Sequence, residues 1–245
     1  MSGFVNFFRV ILYRPLFNVL IFLYAYLPGH DLGIAVIGLT IIIKLLFFPL
    51  SLKAIKSQKA LSELQPKIKE IQKKYKDDKG KQSREIMEMY KREKVSPFSG
   101  CLPLLIQFPV LIALFWVFRT FEGGLSGEEF QLLYPFISQP EIINTQFLGV
   151  IDLIKPSAYL AVLAGVFQFF QTKMMTPKIE VGDKKKTDFS GMMQKQMQYL
   201  FPIITVVILF RLPSAIGLYW LTTTLFSVIQ QYVVLKKKNG KFQTN

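Results

Sequence analysis

The chain holds one cysteine and one histidine among its 245 residues. Cys101 has no second thiol to pair with, so an intrachain disulfide is excluded. With His30 as the only imidazole and no CxxC, nothing supports a zinc site either. No Ser/His/Asp set, phosphate-binding glycine loop or GxGxxG is present. We therefore expect no catalytic residues, no metal and no cofactor. Acidic residues are also scarce, 16 against 30 Lys and Arg, for a formal net charge of +14.

Apolar residues are plentiful: 51% of the chain is hydrophobic and 14% aromatic, with a mean hydropathy of +0.34. They fall in long blocks separated by charged blocks, the layout of a polytopic membrane protein. So large a positive charge would also suit a nucleic-acid partner. The apolar blocks favour a different cause, because cytoplasmic loops of membrane proteins collect Lys and Arg. No specific nucleic-acid partner is expected.

Five spans are read from the blocks: 32–52, 97–118, 157–175, 197–211 and 212–235. A helix needs about 20 residues to cross ~30 Å of hydrocarbon. The uninterrupted apolar parts of the second and fourth are shorter, which suits a thin bilayer or ends buried in protein. Residues 53–95 hold fourteen basic against seven acidic side chains, and 173–195 hold six against three. The tail 236–245 holds four basic and no acidic residues, whereas 119–156 holds two against five. Five spans put every basic segment on one side, which the positive-inside rule makes the cytoplasm. The loop 176–196 and the C-terminus are then inside, and the loop 119–156 outside.

Residues 1–31 are apolar but carry Arg9, Arg14 and Pro15, and the uninterrupted part covers only 16–27. That suits an amphipathic helix in the outer interface. A sixth span or a signal-like segment is the alternative, although no small-residue cleavage site precedes PGHD. Residues 53–96 read as a helical hairpin. Leu61, Leu64, Ile68, Ile71 and Tyr75 form one stripe, KDDKG supplies a turn, and Ile86, Met89 and Tyr90 face back from the second arm. Pro66 marks a kink or a fresh helix start within the first arm.

The segment LTIIIKLLFFPLSLK raises the sharpest question. Lys44 lies nine residues before Lys53, so roughly 13 Å into the membrane along a straight helix. A lysine there costs about 2.5 to 3.5 kcal/mol. No Asp or Glu occurs in any of the five spans, so no intramembrane carboxylate from this chain can pair with it. It either snorkels, faces water, or meets a partner from outside. Thr40 shares its face. Gln107, Gln168, Gln171, Trp220, Thr223, Thr224 and Ser227 add polar groups on three other spans. They either hydrogen-bond between helices or line a wet cavity with Lys44. Trp220 also fits an interface anchor.

These residues carry a resemblance. PGHDLGIAVIGLTIIIKLLFFPLSLKAIKSQKALSELQPKIKEIQKKYKDD is similar to the first span and hairpin arm of the YidC family of membrane-protein insertases. VSPFSGCLPLLIQFPVLIALFWVF, FQFFQTKMM and LPSAIGLYWLTTTLFSVIQQY resemble later spans, in order, so nearly the whole chain is covered. The resemblance implies an all-α protein whose five transmembrane helices enclose a hydrophilic groove, open to the cytoplasm and to lipid. It implies a groove charge at Lys44, with Thr40, Gln107, Gln168, Gln171, Trp220, Thr223, Thr224 and Ser227 as the substrate-binding lining. It also implies a bacterial inner-membrane location, capture of a client's hydrophilic segment, release of its apolar helix into lipid without ATP, and a monomer as sufficient unit. Nascent membrane proteins and the bilayer would be partners, with the ribosome and the Sec translocon as further ones. The family usually has arginine where Lys44 stands; lysine keeps the charge but loses the planar fork. The short tail KKKNGKFQTN weakens the case for ribosome docking through it. An anion channel or transporter built on the same polar groups, and a scaffold recruiting partners through the hairpin, are the competing classes.

Overall fold

Prolines and caps set the helix boundaries in the computed structural model, which describes residues 3–96, 102–123, 127–140, 142–175 and 189–238. Cys101, most of the segment 176–196 and the tail beyond residue 238 lie outside the described residues. α1 (Gly3–Phe8) leads through a π-helical turn (Arg9–Tyr13) into α2 (Arg14–Tyr26) without a break. Pro15 cannot donate to the carbonyl four residues back. The wider turn, in which the Arg14 N–H reaches the Arg9 carbonyl, accommodates it. The helix is thus longer than the apolar run 16–27, and Val5–Tyr26 has the length and composition to cross a membrane.

Asp31 caps α3 (Leu32–Leu46). Its Oδ1 accepts the N–H of Gly33 at 2.7 Å and of Ile34 at 3.1 Å, and its Oδ2 accepts that of Leu148 at 2.7 Å. The segment 32–52 is not straight. α3 ends at Phe47 and α4 (Phe48–Glu63) departs at 67°. Pro49 accounts for the break, because it has no N–H for the carbonyl of Leu45 and its ring crowds it. The bend corrects the depth of Lys44. Three residues at ~1.5 Å and six more inclined at 67° place it about 8 Å from Lys53 along the α3 axis, not 13 Å.

Pro66 likewise sits in the first turn of α5 (Gln65–Lys74), after a break at Leu64. Asp78 caps α6 (Lys79–Arg92) by accepting the Lys81 N–H at 2.9 Å. α5 and α6 pair through a small core of Leu64, Ile68 and Met89, with Ile71, Ile86, Tyr90 and Val95 around it. Lys67 and Glu93 bridge the two arms at 2.6 Å.

α7 (Leu102–Glu122) contains Pro109, with Pro103 as its second residue, and α10 (Phe189–Leu209) contains Pro202. α9 (Ala158–Met175) packs against α10 and against α11 (Ser214–Lys238), and α11 also packs on α3. Gly165 lets α9 and α10 approach, since a Cβ there would overlap the Val206 side chain. α7 packs on α2 and α11. By length and apolar character Ser214–Lys236 can also cross a membrane, as can the bent pair α3 and α4 taken together; Gln198–Leu209 is a shorter apolar helix.

Residues between α7 and α9 form α8 (Gly127–Phe130) and a two-stranded antiparallel ribbon, β1 (Gln146–Phe147) with β2 (Ile151–Asp152). α2 is tied to this end of the molecule along its whole length. The Tyr13 and Thr120 hydroxyls meet at 3.0 Å. Arg14 donates to the Leu132 carbonyl at 3.0 Å. The Asn18 amide donates to the Leu132 carbonyl at 2.9 Å and accepts the Tyr134 N–H at 2.6 Å. The Tyr24 hydroxyl accepts the Asn144 N–H at 2.7 Å. Phe147 lies over Gly33, where a Cβ would overlap the ring. The Ser214 hydroxyl donates to the Asp152 carbonyl at 2.6 Å, joining the start of α11 to the same layer.

The main core gathers at this loop end. It contains Phe17, Leu20 and Ile21 of α2, Leu32, Ala35, Val36 and Leu39 of α3, and Leu114, Val117 and Phe118 of α7. Leu153, Leu160, Ala161, Ala164, Ile216 and Tyr219 complete it. α3, α7, α9, α10 and α11 contribute residues from their loop-end parts.

Candidate functional site

The other halves of the same helices carry the polar side chains. Thr40 and Lys44 are late in α3. Gln168 and Gln171 are in the later half of α9, and residues 220–231 form the middle of α11, past its loop-end start. α7 runs the opposite way, and Gln107 is early in it. Because the helices pack in register, these groups collect at the hairpin end, beneath the apolar core.

Lys44 is partly covered and its Nζ donates to Ser227 Oγ at 2.9 Å, across the contact between α3 and α11. None of the ion pairs among the described residues involves Lys44. Ser227, buried, donates in turn to the Thr223 carbonyl one turn back at 2.8 Å. One turn further on, Gln231 is buried with its Oε1 unbonded. The face of α11 opposite Lys44 thus offers a hydroxyl and a free amide oxygen in successive turns.

A second group joins α9 to α11. Trp220 Nε1 donates to Gln168 Oε1 at 2.9 Å, and Gln168 Nε2 donates to Gln171 Oε1 at 3.2 Å. Trp220 is held by a polar partner inside the bundle, beyond what an interface anchor needs. A third group joins α7 to α11, where Gln107 Nε2 donates to the Tyr219 hydroxyl. The expected residues are therefore on neighbouring helices but form three separate contacts. The Thr223 hydroxyl oxygen is buried without a hydrogen-bond partner among the described residues. Thr40 and Thr224 also stay out of all three. Each is buried and donates to its own helix, to Val36 at 2.6 Å and to Trp220 at 3.0 Å. Such back-bonding satisfies a buried hydroxyl without a partner helix.

Two contributors were not singled out from the sequence. Tyr219 is almost wholly buried and receives Gln107; an aromatic beside Trp220 carries no signal of that role in one dimension. Ser51, on α4, accepts Gln230 Nε2 at 2.6 Å and so fastens the bent helix under α11. The stretch of α4 that follows buries Ala54 and Ile55. Only the bend at Phe47 brings Ser51 within reach. Among the described residues no group of three or more His, Cys, Asp or Glu side chains could hold a metal.

A family model described as the 60Kd inner membrane protein matches residues 22–241. The chain belongs to that family, whose curated members are membrane protein insertases of the YidC type. The insertase YidC of Fusobacterium nucleatum is 37% identical over 207 residues, which is 84% of this chain and 87% of that protein. The Clostridium tetani insertase is 36% identical over 218 residues, covering 89% and 87%. That of Cellvibrio japonicus is 35% identical over 227 residues, 91% of this chain but 36% of a longer relative. Family membership, with the helical architecture, makes this insertase-family chain a multi-pass bacterial inner-membrane protein that takes part in membrane-protein insertion. The match begins within α2 and includes the polar contacts of Lys44, Gln107, Gln168 and Trp220.

Proposed function

We propose that the polar hairpin-end half of the bundle is a hydrophilic groove that captures the hydrophilic segment of a nascent membrane protein. Lys44 is its charge, and Thr40, Gln107, Gln168, Gln171, Trp220, Thr223, Thr224 and Ser227 are its lining. The observation that carries this reading is Lys44 itself: an ammonium inside the bundle, held only by a serine hydroxyl, with no ion pair among the described residues. A cation so placed attracts a carboxylate brought by a client. The apolar core and the loop layer above it close the opposite end to that segment.

Release follows from packing. α7 packs on α2 and α11, and α10 on α9 and α11. The exposed apolar side chains Phe108 and Trp116 on α7, and Ile203 and Val207 on α10, suit a lateral exit between these helices. The client's apolar helix moves out there because transfer of apolar surface to lipid is favourable. No ATP is required. The proposed topology has five spans, with the hairpin and the C-terminus in the cytoplasm. The contacts at both ends of α2 with the loop layer support an N-terminal helix lying across the outer interface, although its length alone would let it span. The basic hairpin is the proposed contact for ribosomes or the Sec translocon, and a monomer suffices.

Reconstitution tests this. Liposomes containing the protein should insert a single-span client with an acidic N-terminal segment; Lys44→Ala should reduce insertion and Lys44→Arg preserve it. Equal insertion by wild type and Lys44→Ala would refute charge capture. An anion flux lost in Lys44→Ala, without client insertion, would make the protein a channel instead.

A further inference from the structure

An apolar cleft of about 160 Å³ opens on the flank of the bundle between α7 and the start of α11, lined by Leu111, Ile112, Phe115, Leu212 and Ile216. Each lining side chain is aliphatic or aromatic. Two arginines adjoin its lining residues. Arg119 is one turn beyond Phe115 on the same face of α7, with its guanidinium 5.8 Å from the Phe115 ring centroid. Arg211 immediately precedes Leu212, is exposed, and forms none of the ion pairs among the described residues.

These positives are out of place by charge distribution. Residues 119–156 hold only Arg119 and Lys155 against five carboxylates. Lys155 is occupied by Asp152 at 3.1 Å, and Arg119 shares Glu122 at 3.3 Å. Arg211, next to the lining residue Leu212, is exposed and takes part in none of these pairs. An apolar slot below a guanidinium pair is the shape of a phospholipid: hydrocarbon in the slot, phosphate at the arginines.

We propose that this cleft binds an anionic phospholipid, with one acyl chain between α7 and α11 and its headgroup phosphate on Arg211 and Arg119. The inference goes beyond the insertase reading. The site lies beside the proposed exit between α7 and α10, so the lipid occupies the flank that a departing client would pass. A zwitterionic lipid fills the slot equally well but gains less from the arginines, since its own ammonium offsets the phosphate. Selectivity for an anionic headgroup is therefore the signature that separates a built site from general solvation by the bilayer.

Trp116, beside Phe115 and exposed, is a built-in reporter. With Trp220→Phe it is the only indole, and quenching by lipids with brominated chains reads their residence next to it. In phosphatidylcholine vesicles containing a minor fraction of brominated phosphatidylglycerol or of brominated phosphatidylcholine, we expect the anionic lipid to associate more strongly. A preference on the order of tenfold follows from two arginines near a phosphate. Arg119→Gln with Arg211→Gln should erase the difference. Equal quenching by the two lipids, or a preference that survives the double substitution, would overturn the proposal. Should Trp220→Phe fail to fold, native mass spectrometry of the wild-type protein compares retained phosphatidylglycerol with phosphatidylcholine, and equal retention overturns it likewise. No client is present in either measurement, so its failure leaves the insertion reading untouched.

Discussion

Replacing Lys44 with Met should separate stability from function. The ammonium contributes a charged hydrogen bond to Ser227 at 2.9 Å, worth about 1.5–3 kcal/mol. Against this stands the cost of a lysine in a membrane helix, about 2.5–3.5 kcal/mol. Methionine removes both terms and keeps most of the side-chain length. Ser227 is not orphaned, because it already donates to the Thr223 carbonyl at 2.8 Å. The net change in fold stability then runs from about 0.5 kcal/mol destabilising to about 2 kcal/mol stabilising. Client capture behaves differently. A carboxylate ~4 Å from the ammonium at an effective dielectric constant of about 20 gains about 4 kcal/mol, of which desolvation removes roughly half. The remaining ~2 kcal/mol corresponds to roughly a thirtyfold loss of capture for an acidic client. The assay pairs unfolding of the detergent-solubilised protein with insertion of an acidic-tailed and a neutral-tailed client in liposomes. A Lys44→Met protein destabilised by more than about 2 kcal/mol would make Lys44 a structural residue, and equal loss for both clients would remove charge from the mechanism.

The loop layer supplies further tests. Gly33→Ala should cost about 1–3 kcal/mol through overlap with Phe147, and Phe147→Ala in the same chain should recover most of the overlap term; additive losses in thermal unfolding would refute the contact. Asn18→Ala leaves the Tyr134 N–H without its partner, at about 1–3 kcal/mol, while the Leu132 carbonyl keeps Arg14; it should expose residues 127–140 to protease before the bundle unfolds. Burial alone would raise the Asp152 carboxyl, but the Ile154 N–H, Lys155 and Thr145 outweigh it and hold the group below its ordinary value. A carboxyl lowered in the folded state stabilises above its unfolded pKa and loses that contribution as pH falls through the lowered one. Acidification below the ordinary carboxylate range should therefore loosen the layer at Ser214, and an unchanged acid profile in Asp152→Asn would count against it.

Much of this was legible in one dimension because the signals were local. The apolar blocks, the KDDKG turn and the Leu64, Ile68 and Ile71 stripe all rest on spacing between near neighbours in the chain. Lys44 was conspicuous for the same reason, as a charge in an apolar run. What escaped was relational. Pro49 was visible, but the 67° it imposes was not, and so neither the reduced depth of Lys44 nor the reach of Ser51 to Gln230 followed. The polar side chains announced themselves singly, yet their division into three contacts depends on which helix faces which. Thr40 and Thr224 read as lining residues because a hydroxyl in a membrane helix advertises polarity; the bond each makes to its own backbone has no signature in the sequence. Tyr219 and Asn18 carry no sequence signal that distinguishes a hub from an ordinary apolar or loop-facing side chain.

The separation of the bundle into an apolar loop-end half and a polar hairpin-end half has an electrical consequence. With water admitted among the polar groups, only the apolar half insulates, so the barrier to ions is on the order of 15 Å thick rather than ~30 Å. A transmembrane voltage then falls over about half the usual distance, and the local field there is roughly doubled. In the proposed groove, a client carboxylate resting at Lys44 would have entered the protein while sensing little of that voltage. On that proposal the work done by the membrane potential would be concentrated in the final step, past Leu39, Leu114 and Tyr219.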